Sequence, residues 1–99
     1  MHYLLIYELS ADYLQKRDAY RLEHFRLAWE AQHRGELILA GALADPTDQA
    51  VLLFRGPSPA IAEDFVRAHP YTANHIVKSW RVRPWTTVVG KDATSPIHP

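Results

Sequence analysis

The sequence predicts an α+β fold of the ferredoxin-like β-α-β-β-α-β order, an antiparallel sheet carrying two helices on one face. Three observations lead there. The 99 residues contain four apolar runs of strand length. Stretches with helical periodicity separate the first run from the second and the third from the fourth. The runs are apolar on both alternating faces, so both faces of the sheet need a covering layer. Two helices on one side supply one such layer. In a chain this short, the other is the sheet of a second subunit, and a homodimer is expected.

The first run, His2 to Leu9, is too short for a helix core and rich in aromatic and aliphatic residues, hence a strand. Ser10 and Asp12 suit a helix cap, with Gln15 in the capping-box position after Asp12. The helix that follows should run unbroken to Gly35, whose freedom at positive φ fits a C-terminal cap. At ~100° per residue, Tyr13, Arg17, Tyr20, His24, Leu27 and Ala31 share one stripe, with Arg21 and Ala28 at its edge. Leu14, Leu22, Phe25 and Trp29 form a second apolar stripe, expected in the core away from any site. Lys16, Glu23, Arg26 and Glu30 form the solvated side.

Glu36 to Leu43 and Gln49 to Arg55 should pair as an antiparallel hairpin across the turn residues around Pro46. Ser58-Pro59 opens the second helix with a capping serine and a proline where a missing N–H costs nothing. Ile61, Ala62, Phe65 and Ala68 are its expected buried side, and Pro70 its stop. Tyr71 to Ile76 reads as a short irregular segment. Val77 to Val89 then forms a long strand with Trp80, Val82, Thr86 and Val88 on one face, and Pro84 confines it to an edge or a bulge. A domain over residues 1–90 and a poorly ordered or partner-binding tail over 91–99 complete the reading.

Composition narrows function. Eleven Lys plus Arg balance eleven Asp plus Glu, so no global field draws nucleic acid or an anionic membrane. No apolar run approaches the ~18–20 residues of a membrane span, and cysteine is absent, which fits a cytoplasmic protein. There is no glycine-rich phosphate loop, nucleophile elbow or metal motif. No metal and no cofactor are therefore expected, and the partners are a small-molecule ligand and a second copy of the chain. Two arginines and a histidine on the covered arc of the first helix mark the site, because such groups are costly to bury without partners or a wet cavity. His24 suits acid-base work near neutral pH. Arg17 and Arg21 suit either an anionic ligand or structural pairing with Glu8, Asp12 or Asp45.

The R-x-x-x-R-x-x-H run at Arg17, Arg21 and His24, the Gly35-to-Asp45 stretch GELILAGALAD, the Pro70-Tyr71 pair and the closing strand together resemble the YciI-like (YCII-related) family nearly to Gly90. The resemblance implies a dimeric α+β barrel, with two four-stranded sheets packed face to face. It also implies proton-transfer chemistry such as dehydrochlorination of small ring compounds through a His-Asp pair. His24 matches the family histidine, but His69-Pro70-Tyr71 replaces the usual Asp-Pro-Tyr. The expected catalytic set is His24, His69 and Arg17, with Arg21, Tyr20, Tyr71 and Asp45 as ligand-binding residues. The enzyme implied is a cofactor-independent lyase or isomerase acting on a small polar or aromatic molecule. The alternative is a non-catalytic dimeric ligand-binding or accessory protein that has lost the dyad.

Overall fold

A computed structural model describes residues 1–68 and 76–99. Four strands, β1 (His2–Leu9), β2 (Leu37–Ala42), β3 (Gln49–Arg55) and β4 (Val77–Trp85), form one sheet in the order β2-β3-β1-β4. Every neighbouring pair is antiparallel. The expected ferredoxin-like arrangement is therefore present, with β1 and β3 central and β2 and β4 at the edges. Pro84 lies on edge strand β4, opposite Tyr3, and an edge tolerates its missing donor.

Alternation along β1 sorts the two faces. Tyr3, Leu5, Tyr7 and Leu9 are buried under the helices with Leu52 and Phe54. Leu4 and Ile6 point the other way and pair with Leu53 and Val51. Leu39, opposite Leu53, extends that second face and is 72% exposed. No described element covers this apolar strip.

The first helical segment departs from expectation. It is broken into α1 (Tyr13–Lys16), a 3-10 turn (Arg17–Ala19) and α2 (Arg21–His33). The break falls at Tyr20, whose ψ of 2° leaves the helical region. A straight helix from Tyr13 to His33 would be about 31 Å long, well beyond the roughly 20 Å of β2, the strand α2 packs along. The break lets Tyr13 and Ala31, near its two ends, both join the core. Asp12 makes no capping bond to the backbone; its carboxylate takes Ser10 Oγ at 2.8 Å and Lys16 Nζ at 3.0 Å. Gly35 does take positive φ, 80°, and its N–H bonds the Gln32 carbonyl as the helix ends.

The second apolar stripe is also misplaced by the sequence reading. Leu22, Phe25 and Trp29 are 86%, 41% and 60% exposed, and Leu14 is exposed as well. Helix α2 lies along β2, an edge strand of the sheet, so its outer flank overhangs the edge with no described strand beneath.

Helix α3 (Ala60–Ala68) begins as expected, with the Ala60 N–H donating to Ser58 Oγ at 3.2 Å. Its buried side is Ala62, Phe65 and Val66, with Ile61 packed against the core, whereas Ala68 is exposed. The Phe65 ring meets Phe54 with centroids 5.3 Å apart. The expected stop at Pro70 and irregular segment from Tyr71 lie outside the described residues.

Strand β4 ends at Trp85 rather than Val89, and the C-terminal residues do not trail away. Gly90, with φ 120°, turns the chain so that the Ser95 and Ile97 N–H groups donate to the Thr87 and Val88 carbonyls. Those carbonyls serve this return segment.

Candidate active site

The break before Arg21 positions the site. Residues of the 3-10 turn and the first turns of α2 face a cavity of about 460 Å³ between α1–α2 and edge strand β2. That size lies within the usual range for small-molecule sites. Apolar backbone-hugging residues, Leu37 to Ala42, form one wall, and Tyr7, Leu9 and Leu52 reach it from the sheet. The small residues Ala40, Gly41 and Ala42 keep that wall low. Arg17, Arg21 and His24 line it together, so three of the sequence-predicted residues converge.

Each charged group has a definite setting. The His24 ring lies beside Phe25, with centroids 5.2 Å apart. Burial, and then the charge of Arg21, push the His24 pKa down to about 4. The imidazole is accordingly neutral at pH 7 and a weaker base than a free histidine. The Arg21 guanidinium sits 4.9 Å from the centroid of the Phe25 ring, and that of Arg17 5.7 Å from the Tyr13 ring. Such stacking orients a guanidinium while leaving its edge free to donate.

Structural pairing of the arginines with the expected acids is not what holds them. Asp12 pairs with Lys16, and Glu8 faces Arg81 at 3.5 Å across the sheet while accepting from Gln49. The carboxylate nearest Arg17 is exposed Asp18, 3.9 Å from Nε. Arg17 Nε is shielded from solvent and makes no hydrogen bond among the described residues.

The remaining predicted residues fall elsewhere. Tyr20 is half-buried and packs against the core. Asp45 is exposed in the β2–β3 connection and does not line the cavity. His69 and Tyr71 lie outside the described residues. Sequence reasoning missed Tyr13, Phe25, Trp29 and Gln32 as cavity residues. The signal for Phe25 and Trp29 was present, because Phe25 adjoins His24 and Trp29 follows one turn later. No described element covers the second apolar stripe, which is why it reaches the cavity rather than the core. Among the described residues no cluster of His, Asp or Glu is arranged to hold a metal, and no helix is long and apolar enough to cross a membrane.

Comparison with known proteins agrees with this architecture. The sequence pattern of the YCII-related domain matches residues 1–86. The 5-chloro-2-hydroxyhydroquinone dehydrochlorinase of Burkholderia phenoliruptrix AC1100, solved with 2,5-dihydroxybenzoquinone, superposes with a TM-score of 0.74 at 16% identity, covering 88% of this chain and 95% of its own. A NIPSNAP family protein of Agrobacterium tumefaciens superposes at 0.59 with 12% identity, covering 94% and 95%. At such identities the likeness is one of fold. No curated protein sequence matches the chain.

Proposed function

The chain belongs to the YCII-related family, and on that premise we propose that it is a cofactor-independent acid-base enzyme, acting as a homodimer on a small polar or aromatic molecule. The observation that carries this reading is His24, held neutral on the wall of a cavity it shares with two guanidinium groups. Burial and Arg21 keep the imidazole neutral but also make it a weak base, so its role as proton acceptor from a carbon or hydroxyl acid depends on a bound anion offsetting the charge of Arg21. Arg17 and Arg21 then stabilise the negative charge left on the substrate. Elimination of a leaving group such as chloride, or return of the proton to another carbon, completes a lyase or isomerase cycle. His69 and Tyr71 are proposed to complete the pocket.

Dimerisation is supported by the uncovered strip of Leu4, Ile6, Leu39, Val51 and Leu53. Packing two such faces removes apolar surface from water at about 25 cal/mol per Å². A cytoplasmic setting accords with the absence of cysteine.

The reaction is tested with 5-chloro-2-hydroxyhydroquinone, by following chloride release and solvent deuterium uptake into the ring product. Turnover that falls at least about a hundredfold in His24→Asn, as removal of a general base does, supports the reading. Absence of turnover and exchange over a panel of chlorinated and hydroxylated ring compounds overturns it. One observation favours an accessory role instead: position 69 carries histidine where the resembling family has aspartate. Ligand binding without turnover is the signature of that alternative.

A further inference from the structure

The cavity walls carry a sharper statement about what the site holds, resting on the reading of this cavity as the reaction site. Its described lining contains two arginines and no Asp or Glu. Neither guanidinium is neutralised by a close carboxylate, since Arg17 meets only Asp18 at 3.9 Å and Arg21 is set against the Phe25 ring. Arg17 Nε is a desolvated donor without an acceptor among the described residues, and a buried donor left unpaired costs about 1–3 kcal/mol. The Nε–H and its adjacent Nη–H form a fork whose spacing matches the two oxygens of a carboxylate. Beyond the arginines the lining turns flat and apolar, with Phe25 and Trp29 on the helix side and Leu39 to Ala42 on the strand side. This is room for a planar ring.

We propose that Arg17 and Arg21 form a carboxylate subsite and that the ligand is an aromatic carboxylic acid whose ring packs between Phe25, Trp29 and the β2 wall. Arg17 supplies the fork and Arg21 the second charge. The bound carboxylate also offsets the repulsion that Arg21 exerts on an imidazolium at His24. Ligand binding therefore makes His24 a stronger base. The acid end of the substrate helps to prepare the group that takes its proton.

The test is calorimetric titration of the full chain with 2-naphthoate, with its neutral counterpart 2-naphthamide and with inorganic phosphate, alongside NMR titration of the His24 imidazole. Naphthoate should bind at least about tenfold more tightly than either comparison compound, as expected when a charge-assisted fork is gained. It should also raise the His24 pKa by about half a unit or more. Arg21→Gln should remove most of both effects. Equal binding of naphthoate and naphthamide, phosphate binding as tightly as naphthoate, or an unmoved His24 titration overturns the proposal. The naphthamide comparison uses the unaltered protein, so it holds even where Arg21→Gln fails to fold. His24-dependent turnover without a preference for naphthoate would overturn this inference alone. Selective naphthoate binding without turnover would overturn the proposed reaction and leave the subsite standing.

Discussion

The Nδ1 atom of His2 lies 2.8 Å from the Oγ1 of Thr87, a buried hydrogen bond that ties the first residue of β1 to the segment after β4. Thr87 Oγ1 also accepts from the Thr94 backbone N–H at 2.9 Å and meets Thr94 Oγ1 at 3.2 Å. One hydroxyl thus organises both the chain start and the C-terminal return. Thr87→Val keeps the shape but leaves His2 Nδ1 and the Thr94 N–H without that partner. A loss of about 1–3 kcal/mol is expected from such orphaned groups, read as a shift in urea midpoint with unchanged slope. Thr87→Ser should retain most of the stability.

Acid should destabilise the fold through its histidines. His24 is pushed down to about 4, by burial first and Arg21 second. His2 is also lowered, by burial, then Arg55 and the N-terminus, with Asp92 opposing. A histidine whose folded pKa lies below its unfolded value binds protons more readily when unfolded. Its contribution is therefore full above about pH 6.5 and declines as pH falls from there through the folded pKa. For His24 the loss by pH 4 should be on the order of 2 kcal/mol, allowing for partial solvent screening. Urea unfolding of wild type and His24→Gln between pH 4 and 8 measures it, and the variant should show a shallower decline. Identical pH curves would contradict the assignment.

Trp29 and Phe54 should respond very differently to truncation. Trp29 is 60% exposed on the overhanging flank of α2, so Trp29→Ala should cost less than about 1 kcal/mol in folding. Phe54 is fully buried against Phe65, and Phe54→Ala should cost about 3–5 kcal/mol. Thermal or urea unfolding of the two variants decides this. Trp29→Ala should instead weaken binding of a ring-bearing ligand, because its side chain lines the cavity.

Ile6 is central on the uncovered sheet face, between Val51 on β3 and Arg81 on β4. Ile6→Lys places a second positive charge opposite Arg81 in the proposed dimer interface, where like-charge repulsion and desolvation both oppose packing of the two faces. Sedimentation should show two chains for wild type and one for the variant, with circular dichroism retained. A wild-type monomer at micromolar concentration would remove the dimer from the proposal.

The sequence alone determined the order of elements and the convergence of Arg17, Arg21 and His24, because hydrophobic period, turn residues and helical spacing are local properties. It also determined that one sheet face lacks cover, through Leu4 and Ile6 alternating with the buried Tyr3, Leu5 and Tyr7. Tertiary structure decided the rest. Whether Phe25 and Trp29 meet a core or a cavity depends on α2 lying over edge strand β2, and periodicity cannot say how far a helix overhangs its sheet. The break at Tyr20 has no glycine or proline to announce it. It shows only in the backbone, where Tyr20 takes φ −122° and ψ 2° between the two helical stretches. Likewise, the C-terminal return rests on Thr87 meeting His2, 85 residues apart in the chain, and a contact between such distant polar residues leaves no periodic trace.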